Sequence, residues 1–276
     1  MYSDCHEGPL HHPKGKFTLD EVTDLGQTGR QGLVRPCDIK GILHSHSRWT
    51  DGAHSLDSMV STAREIGLEY LGISDHFLSA AHQEGLDLAA ARIQREEVDR
   101  LVEKYDDFDV LQGIEIDVNP DGSLPVDDAT LAHFDFVIAS FPEHDGHDQK
   151  RLIEQVVRAA RHPQVTILGT PVGDFMLRGC NGSSAMKEVL QAAAEGGTAV
   201  ELTANPSYKE LDWTCCHMAQ DLGVYMAISP NAHRAARLVD YRHGAELAQA
   251  AGMTCTSFLN TMTSAQLRRH FARGAR

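Results

Sequence analysis

The stretch LHSHSRWTDGAH, positions 43–54, places His44, His46, Asp51 and His54 close together. Side chains two apart on a strand point to the same side, so His44 and His46 can present two imidazoles to one cation. With 16 His among 276 residues, about one HxH pair is expected by chance, so the pair needs donors from elsewhere. Suitable residue types recur downstream: His76 in GISDHF, Glu115 in GIEIDV, and Asn231 and His233 in ISPNAH. Imidazoles and carboxylates suit zinc and similar ions, and three protein ligands plus water make a catalytic metal site.

Those residues can meet only if the chain brings distant segments together. Seven short apolar runs each end in a polar cluster: IKGIL before HSH, YLGI before SDH, VLQGI before EIDV, FDFVIAS before FPEH, VTILG before TPVGD, TAVEL before TANP and VYMAI before SPNAH. Between several of them lie segments with apolar residues three and four apart, at 56–68, 88–105, 149–161 and 184–197, which predict helices. Gly67 and Gly196 stand where helix C-caps are expected. Strand–helix alternation predicts parallel βα units. In a parallel βα barrel all strand C-termini share one rim, where active sites lie. His44, His46, His76, Glu115, Asn231 and His233 all fall at such ends.

Composition narrows the function classes. The chain is long enough to bury a sizeable core, and 42% of it is hydrophobic. A net charge of −14 disfavours a broad phosphate-backbone surface, so extended DNA binding is not expected. A small phosphorylated substrate or a protein partner fits better. No apolar run is long enough to span a membrane, and the N-terminus has no apolar signal region. Six scattered cysteines without a CxxC read as free thiols in a reducing cytoplasm. Residues 1–37 show little periodicity and predict an irregular arm, with a barrel domain over 38–276.

HSHSRWTDGAHS, GISDHF, GIEIDVNPDGSL, FDFVIAS, ILGTP, ELTANP and ISPNAHR occur in the order seen in the PHP (polymerase and histidinol phosphatase) family. The chain resembles in particular the PHP domain at the C-terminus of bacterial family X DNA polymerases, over roughly residues 38–270. An arm of 37 residues is too short to hold a polymerase region. The resemblance implies a distorted (β/α)7 TIM-like barrel, and hydrolysis of phosphoesters by metal-activated water. It implies metal ligands at His44, His46, Asp51, His76, Glu115, Asn231 and His233, with Glu115 bridging two positions. Glu115, His233 and His76 are the implied catalytic residues.

The chain departs from the family pattern at Pro142 and Thr170, where His is usual, at Asn231, where Asp is usual, and at Asp174, where a base is common. The family pattern gives one position to the residues equivalent to 142 and 170. Fewer than three divalent ions, zinc or manganese, are therefore expected. His44, His46, Glu115 and Asn231 would form one weakened position, and Asp51, His76 and His233 an intact one. Glu143, His144 and His147 are possible substitutes, although a solvated loop explains them.

Arg48 is a candidate phosphate contact. His82, Glu84, Lys209 and Arg234 are further rim candidates, and His54 reads as a loop or cap residue. Two functions remain open: a phosphoesterase acting on a small phosphomonoester or nucleotide, and a catalytically reduced PHP domain that binds or scaffolds.

Overall fold

The computed structural model describes residues 32–141, 149–169, 184–204, 206 and 213–274. The expected N-terminal arm therefore lies largely outside the described residues. All seven apolar runs contain strands: β1 (Gly41–Ile42), β2 (Tyr70–Ile73), β3 (Asp109–Asp117), β4 (Phe136–Ser140), β5 (Ile167–Leu168), β6 (Ala199–Thr203) and β7 (Met226–Ser229). They pair in chain order and all in parallel. The described helices are α1 (Leu56–Glu65), α2 (Leu88–Lys104), α3 (Asp128–Leu131), α4 (Gln149–Ala160), α5 (Ser184–Gly196), α6 (Trp213–Asp221), α7 (Tyr241–Ala250) and α8 (Ser264–Gly274). The architecture is a distorted (β/α)7 TIM-like barrel. Among the described residues no helix is long and apolar enough to cross a membrane.

Strand alternation sorts the side chains into two layers. Ile42, Leu71, Val200 and Ile228 face outward and pack beneath the helices. Tyr70, Leu111, Phe136 and Ile167 fill the interior, which Leu267 and Phe271 of α8 plug. Phe136 is 1% exposed, and burying a side chain of that size contributes about 1.5–3 kcal/mol. Its ring needs a glycine on β3, because a Cβ at Gly113 would lie 2.3 Å from it. The same period carries β3 upward from Leu111 and Gly113 to Glu115 and Asp117 at the rim.

Helix ends follow local chemistry. Ser55 and Asp87 cap α1 and α2 by accepting from Ser58 N and Ala90 N. Gly67 takes the expected left-handed turn after α1, with φ of +90°. Gly196 does not do so after α5. The next residue, Gly197, makes that turn with φ of +71°. Gly196 is small for another reason: a Cβ there would meet Ala160 O at 2.0 Å.

The seam between β1 and β7 is closed by two devices. Ser45 bridges Ala232, with His46 N donating to Ala232 O at 3.0 Å and Ala232 N to His44 O at 3.3 Å. Below it, the Asn260 side chain stands in for a missing strand pairing. Its amide donates to Gly41 O at 2.9 Å and to Ile228 O at 3.0 Å, and its oxygen accepts from Ile228 N at 2.6 Å. Asn260 is fully buried, so removing its amide strands three backbone groups. Asn260→Ala should cost about 2–4 kcal/mol, read as a lower denaturation midpoint with an unchanged slope.

Candidate metal centre

The HSH pair lies just past the end of β1 rather than within it, in an extended piece held to Ala232. The rings of His44 and His46 are still neighbours, with centroids 5.2 Å apart. His44 is fully buried between two carboxylates. Its Nε2 is 3.2 Å from Glu115 Oε2, and its Nδ1 is 2.9 Å from Glu201 Oε1. The Glu115 oxygen also lies 3.4 Å from His46 Nε2 and 3.3 Å from His76 Nδ1. One carboxylate from β3 thus faces three imidazoles.

Asp51 comes to the site on a loop that Asp75 ties down. The buried Asp75 carboxylate accepts from Ser47 N at 2.7 Å, Ser47 Oγ at 2.6 Å, Thr50 Oγ1 at 2.7 Å and Gln94 Nε2 at 2.7 Å. Ala53 N donates to His233 O at 2.8 Å, which fastens the same loop to the end of β7. Asp51 Oδ2 then sits 2.9 Å from His233 Nε2 and 3.5 Å from His76 Nε2. Asn231 adopts a left-handed conformation with φ of +47°, which its short polar side chain tolerates. Its side-chain oxygen accepts from His46 Nε2 at 3.0 Å, and its backbone oxygen from His233 Nδ1 at 3.1 Å.

His46 tests whether these residues fit a metal. Because Asn231 Oδ1 accepts from Nε2–H, the neutral ring carries its lone pair on Nδ1. That atom is buried and has no hydrogen-bond partner. It faces Asp51 Oδ1 at 3.7 Å, lone pair towards carboxylate. Only a cation or a proton between them makes this contact favourable. Donor atoms of His46, Asp51, His76 and His233 lie within 4.8 Å of one another, as do those of His44, His46 and Glu115. The residues fit one or two divalent ions.

The electrostatics agree with that fit. Burial pushes His46 well below its ordinary pKa and keeps it neutral. Burial would also lower His44, but Glu201 and Glu115 outweigh it and raise that imidazole to about 10. Burial opposes the charge on Glu115, yet His44, His46 and His76 hold its carboxyl well below the usual range. Asp51 is likewise held low, by His233 and His76, against its own desolvation. His233 is raised chiefly by its bond to Asp51. His76 is raised by Asp51 and Glu115 against the cost of burial.

The structure brings together His44, His46, Asp51, His76, Glu115, Asn231 and His233. Arg48 stays in its own loop, its Nε donating to Ala53 O at 2.9 Å. His54 accepts from Ala235 N at 3.4 Å, as a loop residue. Glu84 and Arg234 are exposed. Pro142, Glu143, His144, His147, Thr170, Asp174 and Lys209 lie outside the described residues. Sequence reading missed Glu201 and Asp75. A signal existed for Glu201: alternation in TAVELT puts Ala199, Glu201 and Thr203 on the inner face, and a carboxylate there needs a partner.

His44 yields a pH prediction for metal-free protein. Its folded pKa of about 10 lies above the ordinary 6.5. Its contribution to stability is therefore complete below about pH 6.5 and is lost as pH rises through about 10. Denaturant midpoints should fall across that interval, and Glu201→Gln should flatten the fall. Binding of a divalent ion must expel the same proton, so calorimetry should show proton release and an affinity that rises with pH.

Comparison with known proteins places this geometry in a lineage. The PHP domain family model matches residues 43–205. DNA polymerase/3'-5' exonuclease PolX of Bacillus subtilis (strain 168) is 31% identical over 252 residues, covering 91% of this chain and 44% of that protein. The chain thus spans under half the length of that relative. A protein of Thermoanaerobacter sp. (strain X514) named as a probable phosphatase is 25% identical over 241 residues, covering 81% of this chain and 91% of that one. The crystal structure of histidinol phosphate phosphatase from Lactococcus lactis subsp. lactis Il1403, complexed with zinc, L-histidinol and phosphate, superposes with a TM-score of 0.58. It covers 79% of this chain and 98% of its own at 18% identity, a likeness of fold. The family match begins at Leu43, directly before the first imidazole, and runs past β6: the chain belongs to the PHP domain family.

Proposed function

We propose that the chain hydrolyses a small phosphomonoester or a nucleotide with the help of zinc or manganese at fewer than three positions. One observation carries this reading: two overlapping sets of His and carboxylate donors converge at the strand-end rim. Relatives named as a probable phosphatase and as a DNA polymerase/3'-5' exonuclease, and a fold neighbour crystallised with zinc and phosphate, support it. The net charge of −14 repels a long polyanion and favours a small substrate. The thiols of Cys37, Cys215, Cys216 and Cys255 suit a cytoplasmic setting.

His44, His46, Glu115 and the Asn231 oxygen would hold one ion, with His46 Nε2 losing the proton it donates to Asn231 as the ion enters. Asp51, His76 and His233 would hold the other, whose position the free Nδ1 of His46 faces in the metal-free chain. When bound, such ions polarise a phosphate oxygen and lower the pKa of water. Glu115 sets the spacing of both positions, because one of its oxygens faces His44, His46 and His76. His233 is the most open imidazole of the site, at 39% side-chain exposure; it or His76 would assist proton transfer only while not committed to an ion. Asp51 fixes the Nε2 edge of His233. Arg48 would leave Ala53 O to meet a phosphate.

Asn231 favours a second reading, a catalytically reduced domain that binds rather than turns over, since it offers His46 a neutral oxygen. Metal content and turnover separate the two. Protein purified without chelator and then incubated with Mn²⁺ or Zn²⁺ should hold two ions per chain and hydrolyse a small phosphomonoester. His76→Ala should lower that rate by about a hundredfold or more. One ion or none, with no turnover of monoester, nucleotide or oligonucleotide end, would overturn the hydrolase reading and leave the binding module.

A further inference from the structure

The four imidazoles of the rim are not all held in the same way. The χ2 torsion of histidine is soft, so each ring plane must be set by something outside the ring. Glu201 sets His44 and the Asn231 side chain sets His46. The Asn231 backbone oxygen sets His233. Among the described residues, the nitrogens of His76 face only the site carboxylates of Glu115 and Asp51, at 3.3 and 3.5 Å, and one face of its ring lies on His46, with centroids 4.6 Å apart.

A different contact is present at His76. The ring of His82 lies flat on it, with centroids 3.6 Å apart and planes 8° from parallel. His82 is itself clamped. Its Nδ1 donates to Asp117 Oδ2 at 3.0 Å, and its backbone N donates to Ser79 Oγ at 3.0 Å. Ser79 Oγ donates to the same Asp117 oxygen, at 2.5 Å. Asp117 stands two residues past Glu115 on β3, so one strand face carries the carboxylate of the site and the one that holds His82. The loop between them is fastened at both ends: Leu78 N donates to Leu86 O at 2.9 Å and Leu86 N to His76 O at 2.8 Å.

We propose that His82 is a positioning residue: gripped by Asp117 and Ser79, it covers the outer face of His76 and fixes the plane in which that imidazole meets a divalent cation. A ring in van der Waals contact over its whole face cannot tilt without moving its neighbour. His82 does the work that a hydrogen-bonded outer partner does for His44 and His233. The inference rests on the metal-site reading above.

Co²⁺ titration followed by visible absorption tests it, since the bands report ligand geometry directly. His82→Ala should bind Co²⁺ about tenfold more weakly with shifted bands, whereas His82→Phe, which keeps a flat face, should stay within about threefold of wild type. Metal-free melting temperatures of both variants should match wild type. The inference is overturned if His82→Ala binds Co²⁺ with wild-type affinity and bands. It is equally overturned if His82→Phe is as weak as His82→Ala, because the polar edge would then matter rather than the face. A lowered metal-free melting temperature with unchanged Co²⁺ binding would reduce His82 to a loop rivet. Wild-type protein that takes up no Co²⁺ removes the metal-site reading itself. Uptake lost in His76→Ala but intact in His82→Ala removes this inference alone.

Discussion

A carboxylate oxygen with almost no access to water governs this molecule. Glu115 is 5% exposed, and its Oε2 is surrounded by His44, His46 and His76. A charge taken out of water must be met by opposite charge or by several donors, or the group stays neutral. Here the donors are imidazoles, which supply a proton or share a cation. Glu201 repeats the demand one strand family away, at 1% exposure and against the far side of His44. Without a cation, His44 satisfies both acids by holding a proton. With one, the imidazole is free to turn a lone pair inward. The buried acids thus make the rim unstable in any uncharged form.

The scaffold meets that demand by arranging carboxylates in tiers. Asp75 lies outside the sheet and never faces the centre. It gathers Ser47, Thr50 and Gln94 so that the loop after β1 has one shape, and Asp51 is delivered by that shape. Asp117 plays the corresponding part for the loop after β2. Two acids therefore organise loops while Asp51, Glu115 and Glu201 face the imidazoles. Strand alternation turns Asp75 away from His76 by one residue, while Glu115 and Asp117 share a face of β3 and differ in height: Asp117, two residues further on, reaches the loop above the site.

Much of this could be read from residues alone. Seven apolar runs gave seven strands because a parallel barrel strand is short, buried on both sides and closed by polar residues. The donors at 44, 46, 51, 76, 115, 231 and 233 converge because strand ends share a rim. Glu201 escaped notice because it lies inside the apolar run TAVEL, whereas the candidate donors were sought in the polar clusters at strand ends. Asp75 escaped because its role depends on partners at 47, 50 and 94, whose proximity only the folded chain reveals. His82 was visible as a rim residue, but nothing in LSAAHQEGLD foretells a parallel stack on His76. Gly196 and Gly197 show a finer limit, since two adjacent glycines hide which one turns the chain and which one makes room for Ala160 O.

The seam between first and last strands has a consequence for how the chain comes apart. His44 and His46 stand on one side of it, Asn231 and His233 on the other, and the short Ser45–Ala232 bridge runs between them. An ion shared by both sides would act as a clasp across the weakest junction of the ring. Its departure would leave the junction to Asn260 and a few backbone bonds. The metal-stripped chain would then open at this junction first, peeling β1 from β7 and offering both flanks to a protease while the strands between stay closed.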